Sequence, residues 1–347
     1  MNKPNISEKV LNLKEDTVKI RRDIHKYPEL GFQENRTSDL IFKTLSELGY
    51  EVSRMAKTGV VGLIRGKQPE KTLAVRADID CLPLQELNNF DYKSQYAGKM
   101  HACGHDGHTA IALSVARIIK ERQDELNGNV KFIFQPAEEG PGGAEPMIKE
   151  GVLESPEVSA IIGLHLWNPM EVGKIGIKGG PLMASANEFE VIIKGKGGHG
   201  AHPHETVDAI VVASYVITTL QTIVSRNVNP LEPAVLTIGK IEGGSNFNII
   251  AESVRLIGTI RTFNNELRKQ MKQRLEEVLN NITSAFGASY EINFHPLYPP
   301  TLNNEKMANL VKEAARPVVG SDNIVEDEMT MGAEDMSYFL EKVPGCY

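Results

Sequence analysis

The chain is poor in cysteine, in clustered basic charge and in long apolar runs. Three cysteines occur in 347 residues, Cys81, Cys103 and Cys346, too few and too scattered for a disulfide framework and consistent with a reducing compartment. No basic run is present and the net charge is -7, so nucleic acid has no electrostatic footprint to follow. No apolar stretch approaches the length needed to cross a bilayer. The N-terminus, with Glu8, Glu15 and Asp16 early, has no positive region followed by an apolar run. A cytoplasmic location without membrane contact is therefore the simplest expectation. Internal repeats and low-complexity segments are also missing. At 347 residues the chain is long for one hydrophobic core, and two domains are expected.

From Lys9 to Leu48 apolar positions fall at helical spacing, broken at Tyr27-Pro28-Glu29-Leu30-Gly31, which predicts helix, turn, helix. Strands are predicted over 59–65, 72–77, 129–135 and 160–165, and a helix over 108–122 with Ile111, Val115, Ile118 and Ile119 on one face. Polar chemistry clusters where these strands end, the usual place for a site in an open α/β sheet. After about Ala184 the pattern changes. Strand over 188–194, helix over 205–225, strands over 234–241 and 249–261, helix over 266–286 and strand over 289–294 spell β-α-β-β-α-β, a ferredoxin-like unit. With α/β sequence before it and helical sequence after it, this unit is read as an insertion.

Two stretches carry the chemistry: Met100-His101-Ala102-Cys103-Gly104-His105-Asp106-Gly107-His108 and Gln135-Pro136-Ala137-Glu138-Glu139. Cys103 and His105 are spaced so that a thiolate and an imidazole can reach one borderline-soft divalent cation if Gly104 permits a tight backbone. Two adjacent glutamates can divide the labour, one binding metal and the other facing a water as general base. His165, at the end of an apolar strand, is either a satisfied core or surface group or a further ligand. Asp78 and Asp80 are either solvated strand-end residues or carboxylates that fix an imidazole tautomer. His101 and His108 stay outside the ligand set, the latter expected to cap or face the following helix. In the inserted unit, His199 lies in a loop with His202 and His204, and is read as a donor to a substrate oxygen. Asn248 is a candidate for the same task or for holding a substrate carbonyl, or else a turn residue after two glycines.

These residues together resemble the M20 metallopeptidases, in particular the amidohydrolase branch of hippurate hydrolases and N-acyl-amino-acid amidohydrolases. The resemblance runs from His25-Lys26-Tyr27-Pro28-Glu29 through Arg76-Ala77-Asp78, the two stretches above, Gly163-Leu164-His165, 199–209 and Gly258-Thr259-Ile260-Arg261 to Met331-Gly332-Ala333-Glu334-Asp335. It implies a zinc-peptidase-like α/β catalytic domain, residues 1–183 and 296–347, interrupted by a ferredoxin-like lid and dimerisation domain, residues 184–295. It makes Cys103, His105, Glu139 and His165 metal ligands, with Cys103 bridging, and Glu138 the catalytic base. His199 and Asn248 become lid residues. Two divalent cations per subunit are implied, Zn2+, Mn2+, Co2+ or Ni2+. The implied reaction is hydrolysis of N-acyl amino acids by a metal-bridged water, in a homodimer or homotetramer built through the inserted domain. An aminopeptidase or dipeptidase of the same fold, or a non-catalytic metal-binding scaffold, is the alternative. Members of the branch continue past the segment matching Val343-Pro344-Gly345-Cys346-Tyr347 to one more histidine ligand, so a longer natural chain is expected.

Overall fold

The computed structural model describes residues 5–347. They form two compact units: the first contains the described residues up to Gly180 together with Leu302–Glu328 and Asp335–Tyr347, the second Pro181–Thr301 and Met329–Glu334.

The first unit is built on a six-stranded sheet in the order Glu51–Met55, Gly59–Ile64, Asn129–Gln135, Thr72–Asp78, Ala160–Gly163, Gly345–Cys346. The first two pairings are antiparallel and the other three parallel. Gly59–Ile64 and Asn129–Gln135 are buried along their whole length; the first reads as a continuous apolar run, and in the second Lys131 is accommodated by donating from Nζ to the Val152 and Glu154 carbonyls. Ile41, Leu45, Leu113, Ala116, Phe132 and Phe134 pack between this sheet and the helices Asn35–Glu47 and His105–Glu121, each large side chain contributing about 1.5–3 kcal/mol on burial. The edge strand Glu51–Met55 has no counterpart in the sequence expectation. Its Glu51, Ser53 and Arg54 are exposed, so it shows no buried face to detect.

Parallel neighbours point the same way, so Asp78, the segment after Gln135 and the segment after Gly163 leave the sheet at a common edge. Two boundaries there differ from expectation. The helix begins at His105, not His108, because Gly104 adopts the left-handed conformation (φ 96°) that turns the chain into it. The strand from Ala160 stops at Gly163, leaving His165 on the following loop.

The second unit is a four-stranded antiparallel sheet, Ala234–Gly243, Ser253–Thr262, Asn187–Lys194, Ser289–Pro296. The chain order β-α-β-β-α-β, with helices Ala209–Thr222 and Asn265–Ala285, is the ferredoxin-like arrangement. Burial alternates along Asn187–Lys194 and Ser253–Thr262, one face meeting Val212, Val216, Leu220, Met271 and Leu275 of the helices. The strand expected over 249–261 is broken: Ile249–Ile250 pairs instead with Gly198–His199 in a separate ribbon. The first helix starts at Ala209, where the Asp208 carboxylate accepts from the Ile210 and Val211 amides. With the π-turn Ile223–Asn227 it runs 19 residues, long and apolar enough by length and composition to cross a bilayer. Its Ala209, Val212, Ala213, Val216 and Leu220 are buried in the core of this unit, so it packs as the core helix of a folded domain.

Candidate metal centre

The common edge of the first sheet gathers four of the expected side chains around His105. Cys103, His105 and His165 present donor atoms within 4.8 Å of one another, and so do His105, Glu138 and Glu139. Cys103 Sγ lies 3.4 Å from His165 Nε2. His105 Nε2 is 3.9 Å from Glu138 Oε2 and 3.9 Å from Glu139 Oε1. Both His105 Nε2 and Glu139 Oε1 are buried without a hydrogen-bond partner, and such groups in a native protein call for a ligand of some kind. The donor set of sulfur, imidazole nitrogen and carboxylate oxygen is that of a zinc-like divalent cation. These residues fit such an ion.

Local structure explains the convergence. His105 occupies the first residue of its helix, and its Nδ1 lies 3.1 Å from the Asp80 carbonyl and 3.2 Å from Asp80 Oδ1. Two acceptors fix a proton on Nδ1, so Nε2 is the ring nitrogen that faces the cluster. The other oxygen of Asp80 accepts from the Glu139 amide at 3.0 Å, so one carboxylate holds both residues. Before the glutamates, Ala137 takes a left-handed turn (φ 55°), stabilised by its amide donating to Glu34 Oε1 at 2.9 Å. His165 donates from Nδ1 to the Leu166 carbonyl at 2.6 Å, which leaves Nε2 unprotonated toward Cys103.

Charge is concentrated here. Burial would strip His105 of its proton, yet Asp78 and Asp80 hold it well above the ordinary histidine value. Burial also raises the Asp78 carboxyl, and the charges of His105 and Arg76 together with the hydrogen bond from His108 overcome it and bring it well below the usual carboxylate range. Burial pushes the Glu139 carboxyl up against the pull of His105, and pushes the Cys103 thiol up against the same neighbour.

Several residues fall elsewhere. The expectation that His108 caps or faces its helix is corrected: its Nδ1 meets Asp78 Oδ1 at 2.6 Å and its Nε2 accepts from the Leu166 amide at 2.8 Å. His101 is buried with neither ring nitrogen partnered, and burial lowers it to about 4. In the second unit, His199 pairs through its backbone with Ile249, and its Nδ1 accepts from the Ala201 amide at 3.1 Å. The Asn248 carbonyl accepts from the Gly200 amide, which places Asn248 in the same ribbon. Glu34 escaped the sequence reading, and so did the joining of Arg76, Asp78, Gln135 and Asp335 in one buried cluster, although their segments appeared there separately. Their partners are distant in sequence, and a lone glutamate after a helix turn carries no local signal.

An α/β sheet with this donor cluster at its strand ends has the make-up of a divalent-cation site. Residues 74–347 match the model of peptidase family M20/M25/M40, and the chain belongs to that family. It is 46% identical over 308 residues to an N-acyl-L-amino acid amidohydrolase of Geobacillus stearothermophilus, covering 88% of this chain and 83% of that one. It is 44% identical over 336 residues to an N-acetyl-L-cysteine deacetylase of Bacillus subtilis, covering 96% and 80%. Its fold matches a Bacillus subtilis protein, solved as a dinuclear metal binding peptidase of the M20 family, with a TM-score of 0.85 and 37% identity over 97% of this chain and 88% of that one.

Proposed function

We propose that this protein is a metal-dependent amidohydrolase that cleaves the amide joining an acyl group to an amino acid. The observation that carries the reading is the meeting of Cys103, His105, His165, Glu138 and Glu139 around one buried, unpartnered imidazole nitrogen. Relatives named for N-acyl amino acid and N-acetylcysteine hydrolysis support the substrate class, and the dinuclear relative supports two cations. Cys103, His105, Glu139 and His165 would hold them. Thiolate, imidazole and carboxylate donors suit zinc, and also manganese, cobalt or nickel according to supply. Bound there, the cations would polarise the amide carbonyl and bring the pKa of a water toward neutrality.

Glu138 is the proton carrier. Its side chain is nearly buried, and it follows the turn that Glu34 fixes, so its carboxylate has little freedom to leave the cluster. It takes the proton of the attacking water and returns it to the departing nitrogen. His199 is the donor to the developing oxyanion. Its Nδ1 accepts a backbone hydrogen bond, which supports a proton on Nε2, ready to donate. Asn248, in the same ribbon, holds the substrate carbonyl. For assembly, Ile210, Val211 and Tyr215 are exposed on one helix of the second unit, which supports a homo-oligomer through that unit.

Glu138→Gln tests the mechanism, because the amide is nearly isosteric but cannot accept the water's proton. Turnover of an N-acyl amino acid is expected to fall roughly 10²–10⁴-fold with metal content unchanged. Activity within about threefold of wild type would remove Glu138 from the general-base role.

A further inference from the structure

We propose that His108 is a positioning residue: it sets the orientation of His165 toward the metal through the Leu166 backbone, and is itself oriented by Asp78 and Arg76. The inference rests on the reading of His165 as a metal ligand. His108 lies three residues beyond His105, on the same helix, and belongs to the most compact histidine cluster of the first unit, with its ring 4.8 Å from that of His165 and 5.3 Å from that of His105. Proximity alone would make it a ligand. The hydrogen bonds assign it differently: both ring nitrogens are already engaged.

Nε2 accepts from the Leu166 amide at 2.8 Å, so the ring proton must sit on Nδ1, where Asp78 Oδ1 receives it at 2.6 Å. A ring with its acceptor nitrogen occupied has no lone pair left for a cation. What it does have is a grip on Leu166. That residue's amide is held by His108 while its carbonyl accepts the Nδ1 proton of His165 at 2.6 Å. The loop carrying His165 lies beyond the end of its strand, where no sheet ladder fixes the backbone. The His108 bond supplies the missing constraint at the one residue that also selects the His165 tautomer.

The chain of contacts continues inward. Asp78 Oδ2 accepts from Arg76 Nη1 at 2.6 Å, Arg76 Nε donates to Gln135 Oε1 at 2.8 Å, and Arg76 Nη2 donates to Asp335 Oδ1 at 2.8 Å. Arg76, Asp78 and Asp335 are fully buried, so each member has its direction set by the next in a setting that water does not loosen. Partners that orient a ligating histidine typically change metal affinity about 10–100-fold when removed. Here the partner acts one step further out, through a peptide.

Two substitutions that differ by one methylene separate positioning from bulk. In His108→Asn the side-chain amide keeps its reach to Asp78 but falls short of Leu166. In His108→Gln the amide oxygen and nitrogen stand about as far apart as the two ring nitrogens, so both bonds can form. Metal-free protein would be titrated with Co2+, reading visible absorption and, by chelator competition, the affinity of each ion. We expect His108→Asn to weaken one of the two ions at least tenfold and alter its absorption, with the thermal transition of the metal-free protein near that of wild type. His108→Gln should restore affinity to within about threefold. Wild-type affinity and spectrum in His108→Asn would overturn the proposal, and so would a His108→Gln as weak as His108→Asn. Failure of the metal-centre reading is distinguishable, because wild type itself would then bind no Co2+ tightly.

Discussion

Asp335→Asn is expected to destabilise the first unit far more than a one-atom change suggests. The carboxylate is fully buried. Its Oδ1 accepts from Arg76 Nη2 at 2.8 Å and from Gln135 Nε2 at 2.8 Å, while Oδ2 accepts from Gln135 Nε2 at 2.7 Å and from the amides of Gly143 and Ala144 at 3.1 and 3.0 Å. An asparagine keeps one oxygen. With that oxygen toward Arg76, its NH2 group meets two backbone N–H groups, donor against donor. Turned over, it meets the guanidinium instead. One buried unsatisfied group costs about 1–3 kcal/mol, and removing one partner of a buried ion pair about 3–5 kcal/mol. The larger figure applies, because Arg76 is left with Asp78 as its remaining buried countercharge among these partners. Trp167, the chain's single tryptophan, lies in this unit and donates to Glu328 Oε1, so its fluorescence reports unfolding there. In urea, the transition should lose about 3–5 kcal/mol, and the melting temperature should fall by roughly 6–20 °C. A loss under about 1 kcal/mol would refute the picture of a charge hub centred on Arg76.

Cys103→Ser should lose most bound metal on dialysis, since a serine hydroxyl stays protonated where a thiol yields a thiolate. Unchanged metal stoichiometry by elemental analysis would make Cys103 a buried bystander. His25 gives a pH signature. Burial lowers its affinity for a proton, but Asp106 at Nδ1 and Glu86 at Nε2 outweigh that and raise it above the ordinary value. The charged ring therefore contributes stability that is complete below about pH 6.5 and is lost as pH rises through the raised folded value. Urea midpoints of wild type minus His25→Gln should accordingly shrink as pH rises above about 6.5, and a constant difference would show that the pair of carboxylates does not charge the ring.

The amino-acid sequence by itself determined the parts whose signal is local. The strand Asn129–Gln135 is where its apolar run puts it, and the β-α-β-β-α-β order of the second unit follows from alternation and helical spacing. The donor types of the candidate centre were legible too, because a thiol, imidazoles and paired carboxylates announce their chemistry wherever they stand. Tertiary structure decided which atom of each faces which partner. Leu166 is 58 residues from His108, and Asp335 is 259 from Arg76, so no window of sequence contains both ends of these bonds. The start of the helix at His105 hung on one left-handed glycine. The histidine nearest to looking like a ligand, His108, is engaged at both nitrogens. Its role follows from hydrogen-bond saturation in a buried site, and saturation becomes defined only when separate strands bring their ends to one edge.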